Sequence, residues 1–294
     1  MVAFAAMVVL IGLNLVAVRL SNTGLAPIWG AAFRFGIAAW LLLGIVLVRR
    51  IPLPTGRALV GSILYGTLYF AVFFGFIYWG LVLVPAGLAA VLNASVPLMT
   101  FLAAVLARLE RFRWSALAGA VVVIAGISIL SGASAAHVAP LPRVGAVLVA
   151  CVGSALGAVV VKAFPRSHPL ATNAVGFVVA FVLLLMASAL MGEAWTLPSS
   201  HASTLAFAYL VASSLVLFPL AVWVIGEWTA SASAYALVLS PLVTLPVAAW
   251  LLDEPVGGRF LVAAALVAAG VYLGALWRPK KAHATPQPKA SASR

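Results

Sequence analysis

The chain has 294 residues, of which 65% are hydrophobic and 7% are charged, and its formal net charge is +12. Soluble domains carry about 25% charged residues, so this composition excludes a soluble globular protein and predicts an integral membrane protein. The positive charge does not indicate nucleic-acid binding, because most of it lies in short loops and a basic tail, where it sets membrane orientation.

Ten apolar stretches, taken in chain order, are each long enough for a membrane-spanning helix, which needs about 20 apolar residues. They cover residues 2–19, 27–48, 58–78, 85–107, 114–131, 144–163, 170–191, 203–225, 230–252 and 258–277. Residues 278–294 are rich in Pro, Ala, Ser and Lys, and we expect them to form a disordered basic cytoplasmic tail. The sequence thus predicts an all-α integral membrane protein surrounded by membrane lipids.

Lys and Arg residues are distributed unequally between the two sides of the predicted membrane. With the N-terminus in the cytoplasm, thirteen of them fall in inner loops or the tail, three fall in outer loops, and Arg34 lies within a span. Cytoplasmic loops of membrane proteins carry an excess of positive charge. We therefore expect a multi-pass protein of a bacterial-type inner (plasma) membrane, with both termini cytoplasmic.

The chain contains an internal duplication with a shift of 144 residues. The pairs that this shift aligns without a gap include Phe74 with Phe218, Pro97 with Pro241 and Glu110 with Glu254. It predicts one five-helix repeat over residues 1–131 and a second over residues 144–277. Because five is odd, the second repeat enters the membrane in the opposite orientation. This architecture is typical of secondary transporters, whose substrate binds between the repeats near the midplane.

Pro97 and Pro241 occupy equivalent positions in the middle of two predicted spans. A proline inside a helix removes one backbone hydrogen bond, here at the carbonyl groups of Asn93 and Leu237. In a membrane a freed carbonyl needs another partner, which neighbouring helices, water in a cavity or a substrate amino group can supply. We predict helix breaks at both prolines, which either only bend the helices or also line and gate a transport cavity.

Polar and aromatic side chains within the spans are the candidates for contact with a substrate. The predicted substrate-binding residues are Asn14, Tyr78, Trp79, Asn93, Ser95, Trp223, Tyr235 and Ser240. Each has a structural alternative, because Asn and Ser also hydrogen-bond between helices and aromatic residues also pack.

Arg34 is a candidate charge site about seven residues into the second span, roughly 10 Å deep at 1.5 Å per residue. Its side chain can extend to the outer interface and serve topology, which the shallow depth favours. It can also attract an anionic group of a substrate, since a charge within the membrane is a functional hypothesis by default.

The groups that other activities require are missing from the predicted spans. No Asp, Glu or His lies in the core of any span, which disfavours proton-coupled antiport and favours facilitative or exchange transport. The sequence has no G-x-x-x-x-G-K-[ST] motif for ATP and no Cys/His cluster for a metal. We therefore predict no enzymatic activity, no cofactor and no metal.

Three further features belong together: two repeats of five spans, a loop glutamate after the fourth span of each (ARLERFRW and LLDEPVGG), and the opening IGLNLVAVR followed by PIWGAAFRFGIAAWLLL. With them the chain resembles the EamA-type transporters of the drug/metabolite transporter superfamily. The resemblance implies a basket of helices around a central cavity and alternating access between the two faces. It also implies that Glu110 and Glu254 anchor loops rather than bind substrate, and that Arg34 matches the family's arginine in the second span.

Within that family the chain is most similar to the amino-acid exporter branch, which includes exporters of aromatic amino acids. The resemblance implies facilitative export of aromatic and other neutral amino acids and related small metabolites. A near-neutral cavity with aromatic walls suits such zwitterions. The alternative is a proton-coupled drug or sugar/metabolite transporter of the same fold. The sequence pattern makes no prediction of the oligomeric state.

Overall fold

A computed structural model describes residues 2–112, 114–131, 139–227, 235–254 and 257–273. Within these ranges the regular structure is helical, and we number the helices α1 to α10 in chain order. The uninterrupted helices are α1 (Val2–Ser21), α2 (Pro27–Val48), α3 (Gly56–Gly80), α5 (Trp114–Ser131), α6 (Leu141–Ala163), α7 (Pro169–Leu190), α8 (His201–Glu227) and α10 (Gly258–Val271). The interrupted helices are α4 (Ala86–Asn93 and Val96–Leu106) and α9 (Tyr235–Leu239 and Pro241–Leu252).

Six of the described helices, namely α2, α3, α4, α6, α7 and α8, are long and apolar enough to cross a membrane. Shorter apolar helices lie in α1, α9 and α10. The prediction of an all-α membrane protein is therefore confirmed. The predicted tail, residues 278–294, lies outside the described residues.

The helix starts follow from proline chemistry. Pro27 and Pro169 are the first residues of α2 and α7, and Pro142 lies in the first turn of α6. Proline suits this position because the first helical N–H groups have no partner within the helix.

The interruptions of α4 and α9 fall at the positions that the 144-residue shift aligns. The first segment of α4 ends at Asn93, and the second begins with Val96 and Pro97. The second segment of α9 begins with Pro241. Both helices are therefore broken directly before the aligned prolines, as expected where a proline removes a helix hydrogen bond.

The serine next to each break satisfies one helix carbonyl. Ser95 Oγ donates to the Leu92 carbonyl oxygen at 2.6 Å, and Ser240 Oγ donates to the Leu237 carbonyl oxygen at 2.8 Å. The Leu237 carbonyl therefore has a hydrogen-bond partner within the chain, and whether the breaks also line a transport cavity stays a prediction.

Helix α3 is the central element of the packing, and its middle turns, Gly66–Val72, are π-helical. Glycines on α6 let this stretch approach closely. A Cβ atom at Gly153 would lie 2.9 Å from the Leu68 carbonyl oxygen, and one at Gly157 would lie 2.7 Å from the Tyr69 Cβ atom. The π-helical turns therefore sit against a helix surface that has no side chains at the contact, and they direct Tyr69 and Phe70 into the interior. Such turns occur often at functional sites.

Candidate functional site

Arg34 lies in the protein interior, and its side chain is 0% exposed. Its Nε atom donates to Ser214 Oγ at 2.8 Å, and its Nη2 atom donates to Asn14 Oδ1 at 2.9 Å. Its Nη1 atom makes a longer contact of 3.4 Å with the Tyr78 hydroxyl oxygen. The interpretation that the side chain extends to the membrane interface is therefore wrong: α2 turns Arg34 inward, toward α1, α3 and α8.

Phenylalanine rings cover the guanidinium group. Its Cζ atom lies 4.9 Å from the ring centroid of Phe74, 5.3 Å from that of Phe35 and 5.7 Å from that of Phe218. The rings of Phe74 and Phe218 contact each other edge to face at 5.5 Å. These two phenylalanines are one of the pairs that the 144-residue shift aligns, so two residues that are aligned in sequence lie together over one charge. The faces of aromatic rings stabilise cations at this range.

The charge of Arg34 has no carboxylate partner among the described residues. All five acidic residues of the chain are described, and they lie in loops or at helix ends. A guanidinium group has five N–H donors, and the described residues provide acceptors for three of them. A buried charge is costly unless it is paired, so this arrangement favours the binding of an anionic group.

Arg34 and the residues that contact its guanidinium group form what we call the Arg34 cluster: Asn14, Phe35, Phe74, Tyr78, Ser214 and Phe218. A small central cavity adjoins this cluster. Its first part has a volume of about 40 Å³ and is lined by Asn14, Phe74, Asn93 and Phe218 together with Tyr69. Its second part, also about 40 Å³, continues past Tyr69 to Thr100 and Ser154. Each part has room for only about one to three water molecules, since a water needs at least ~10–15 Å³ and takes up about 30 Å³ in the liquid. The structure is therefore occluded, and Phe74 and Phe218 stand between the cavity and the guanidinium group.

A wider cavity of about 170 Å³ opens where α6 and α8 end. We call it the vestibule, and it is lined by residues of α3, α6, α7 and α8 and of the loop between α6 and α7, including Ser62, Phe164, Arg166, Thr172, Trp223 and Glu227. Val160 and Val222 of the vestibule lie within two residues of Ala158 and Ala221 of the central cavity, on the same helices. The vestibule and the two parts of the central cavity thus follow one another along α6 and α8.

Loop glutamates close the opposite end of the molecule. The Glu254 carboxylate accepts hydrogen bonds from the backbone N–H groups of Ala86 and Gly87, at 2.8 and 3.0 Å, where α4 begins. It also contacts Arg19 Nε at 3.3 Å. A carboxylate is stabilised at a helix N-terminus by the unpaired N–H groups and the helix dipole. Glu254 therefore ties α9 to α4, in agreement with the anchoring role that the family resemblance implies.

Glu193 does the same for α2, although no sequence pattern marked it as a candidate. Its two carboxylate oxygens accept from the backbone N–H groups of Ile28 and Trp29, at 3.1 and 2.7 Å. The sequence signal for this contact is Pro27, which marks the start of α2 and therefore an exposed set of N–H donors. Nothing local to Glu193 indicates that it lies beside this helix start.

The predicted site residues separate into three groups. Asn14 and Tyr78 contact Arg34, and Asn93 lines the central cavity, where its Oδ1 atom accepts from the Cys151 thiol at 3.1 Å. Ser95 and Ser240 are buried and bond to backbone carbonyl oxygens at the helix breaks. Trp79 and Trp223 lie away from Arg34, and the side chain of Tyr235 lies outside the described residues.

The two tryptophans are separated from the central cavity on opposite sides. Trp79 lies at the C-terminal end of α3, with the Arg143 guanidinium 3.7 Å above its ring, and borders an apolar groove against α7. Trp223 is 53% exposed and borders the vestibule. Neither ring lines the central cavity beside Arg34, because each lies near a helix end rather than in the middle of its helix.

Ser214 and Tyr69 are the interior residues that sequence reasoning missed. Ser214 lies 180 residues from Arg34, its hydrogen-bond partner, and no local pattern marks that pairing. Tyr69 lines both parts of the central cavity because the π-helical turns of α3 alter the direction of its side chain.

Comparisons with known proteins give the family. The profile of the EamA-like transporter family matches residues 1–132 and 142–275. The chain is 29% identical over 211 residues to "Uncharacterized inner membrane transporter YedA" of Escherichia coli (strain K12), a match that covers 71% of this chain and 68% of that protein. The YedA proteins of two further strains, O6:H1 and O157:H7, match to the same extent.

A solved structure described only as "Crystal structure of protein" has the same fold. It superimposes with a TM-score of 0.64 at 22% sequence identity, over 94% of this chain and 96% of that one. The matched residues of the family profile cover most of the chain, including every residue of the Arg34 cluster. The chain therefore belongs to the EamA-like transporter family and is a multi-pass membrane transporter.

Proposed function

We propose that this protein is a secondary transporter that exports aromatic and other neutral amino acids, with related small metabolites, across the inner membrane by alternating access. The observation that carries the proposal is the buried, unpaired guanidinium group of Arg34 beside a central cavity with aromatic walls. The substrate carboxylate binds the free N–H donors of Arg34, and its side chain packs against the cavity walls.

The guanidinium group suits a carboxylate for geometric reasons. Its planar fork of donors matches the two oxygens of a carboxylate, and such charge-assisted bonds are about twice as strong as neutral ones. The apolar remainder of a neutral amino acid gains from contact with Phe74, Phe218 and Tyr69, which border the same cavity. A substrate with one carboxylate and an apolar side chain therefore satisfies both features of the site.

The proposed architecture is ten spans in two inverted five-helix repeats. Support comes from the two segments that the family profile matches, from the paired breaks of α4 and α9, and from the contact of Phe74 with Phe218. In the described conformation the hydrogen bonds of Glu254 to the start of α4 close one end of the molecule, and the vestibule opens at the other end. Alternating access requires the reverse state, in which the Arg19–Glu254 contacts open and the vestibule closes.

The alternative is a proton-coupled drug or sugar/metabolite transporter. Arg34 also suits a phosphorylated or acidic sugar, because these sugars, like amino acids, carry an anionic group that can bind the guanidinium group. A cationic drug has no anionic group that could bind the buried guanidinium group of Arg34. None of the described acidic residues lies in the interior of a helix to couple protons. Amino acids therefore agree better with the site.

Substrate competition in proteoliposomes tests the proposal. Vesicles that contain the purified protein and an internal pool of unlabelled phenylalanine should accumulate labelled phenylalanine by counterflow. Neutral amino acids added outside should reduce this accumulation, whereas sugar phosphates and cationic drugs should not. Counterflow that is inhibited by a sugar phosphate but by no amino acid would replace the proposal with its alternative.

A further inference from the structure

The vestibule carries an opposite pair of charges at its rim. Arg166 Nη1 and Glu227 Oε1 lie 3.9 Å apart, and their side chains are 67% and 56% exposed. At this distance and exposure the ion pair is weak, because water screens both charges. A ligand that carries a charge of each sign can replace it at little cost.

The position of this pair is fixed by the end of α8. Lys162 Nζ donates to the carbonyl oxygens of Ile225 and Gly226, at 3.3 Å each, and Arg166 Nη2 donates to the Gly226 carbonyl oxygen. Cationic side chains are stabilised at a helix C-terminus by the unpaired carbonyl groups. Arg166 is thereby held at the vestibule with its Nη1 atom directed toward Glu227.

The vestibule also contains a hydroxyl group. Thr172 is 8% exposed and lines the cavity. A threonine hydroxyl can both donate and accept a hydrogen bond, so this one can contact a ligand in the cavity. Trp223 and Phe164 supply aromatic surface on the same walls.

We propose that the vestibule is a first binding site for zwitterionic amino acids, distinct from the site at Arg34. The ligand carboxylate pairs with Arg166, its ammonium group pairs with Glu227, and its side chain packs against Trp223. The Thr172 hydroxyl provides a further hydrogen bond. This inference rests on the proposed function, because it takes amino acids as the transported class. Binding at the vestibule is then the step that comes before the substrate passes Tyr69.

The size and position of the cavity agree with this assignment. Its volume of about 170 Å³ is below the range of about 300–1,000 Å³ for drug-sized ligands, so it suits a single small metabolite. It lies at the face that carries Arg166, which the distribution of Lys and Arg predicts to be cytoplasmic. An exporter takes up its substrate from that face.

Ligand binding to a variant that lacks the site at Arg34 tests the proposal. The full chain with Arg34→Gln is placed in lipid nanodiscs, and binding is measured for labelled L-phenylalanine, with 3-phenylpropanoate and 2-phenylethylamine as competitors. The competitors lack the ammonium group and the carboxylate, respectively. Phenylalanine should bind at least about tenfold more tightly than either, because only phenylalanine pairs with both charges.

Two substitutions at the rim should then separate the two contacts. Arg166→Gln should lower phenylalanine affinity about tenfold, to the level of 2-phenylethylamine, and Glu227→Gln should lower it to the level of 3-phenylpropanoate. Arg57→Gln is the matched control, because Arg57 is exposed near the same end of the molecule and does not line the vestibule. It should leave the affinity unchanged.

Each contrary result refutes a defined statement. If Arg57→Gln weakens binding as much as Arg166→Gln, the effect is a general electrostatic field and the vestibule site is wrong. If the Arg34→Gln protein binds no phenylalanine while the wild-type protein transports it, the vestibule site is wrong and the proposed function stands. If the wild-type protein neither binds nor transports any amino acid, the proposed function itself is wrong, and this inference falls with it.

Discussion

Replacement of Arg34 by Gln removes the one fully buried charge of the described structure, and it should impair transport of carboxylate substrates specifically. The substitution deletes the guanidinium group that bonds to Ser214 and Asn14 and that lies under Phe74 and Phe218. Glutamine keeps a polar head that can still donate one hydrogen bond to Asn14. The substitution should therefore impair substrate recognition more than it impairs folding.

The expected magnitude follows from the contact that the substrate loses. A hydrogen bond to a charged group contributes about 1.5–3 kcal/mol, and each 1.4 kcal/mol changes a rate constant about tenfold. We therefore expect kcat/KM for phenylalanine to fall about 10- to 150-fold. Arg34→Lys should give an intermediate value, because lysine keeps the charge but lacks the fork of donors that fits a carboxylate.

The assay compares phenylalanine with phenylalaninamide, which has no carboxylate, in proteoliposomes that contain equal amounts of folded protein. The large loss should appear for phenylalanine alone. An equal loss for both compounds, with a lower melting temperature, would mean that Arg34 only holds α1, α2 and α8 together. Unchanged transport of phenylalanine per folded protein would remove Arg34 from the substrate site altogether.

Four other substitutions, with three control variants, test the rest of the account. Pro97→Ala and Pro241→Ala should each restore helix hydrogen bonds at the breaks of α4 and α9 and slow transport at normal expression, whereas Pro246→Ala, which has no aligned partner, should transport normally. Glu254→Gln should lower the stability of the protein in detergent by about 1–3 kcal/mol, because it weakens two charge-assisted bonds to the start of α4. Its control, Glu227→Gln, removes an exposed ion pair and should cost less than about 1 kcal/mol. Gly157→Ala should destabilise the protein by about 1–3 kcal/mol, since the new Cβ would lie 2.7 Å from Tyr69 Cβ. Gly145→Ala, on the same helix with open space around it, should have no such effect, and equal melting temperatures for these two variants would refute the packing argument.

Local chemistry made the helices and their interruptions predictable. Apolar stretches of spanning length and prolines at helix starts are properties of neighbouring residues, and they placed the six long helices correctly. The shift of 144 residues aligned Pro97 with Pro241, and the structure breaks the helix before each. The inverted arrangement of two repeats stays a prediction.

The interior site was only partly predictable, because its contacts join distant parts of the chain. The depth of Arg34 along its helix favoured the membrane interface, but depth does not tell which way the side chain points. Its direction is set by Ser214 and Asn14, which come from two other helices. Trp79 and Trp223 were expected beside the substrate, since aromatic residues suit a cavity as well as a helix end. The structure separates them from Arg34.

Efflux of labelled phenylalanine from proteoliposomes, with and without an imposed pH gradient, tests the central claim most directly. We predict that other neutral amino acids inhibit efflux from wild-type vesicles by competition and that the pH gradient leaves this efflux unchanged. We also predict a large loss of efflux with Arg34→Gln. Efflux driven by the pH gradient would contradict facilitative transport, and the absence of flux for any amino acid would contradict the assigned substrate class.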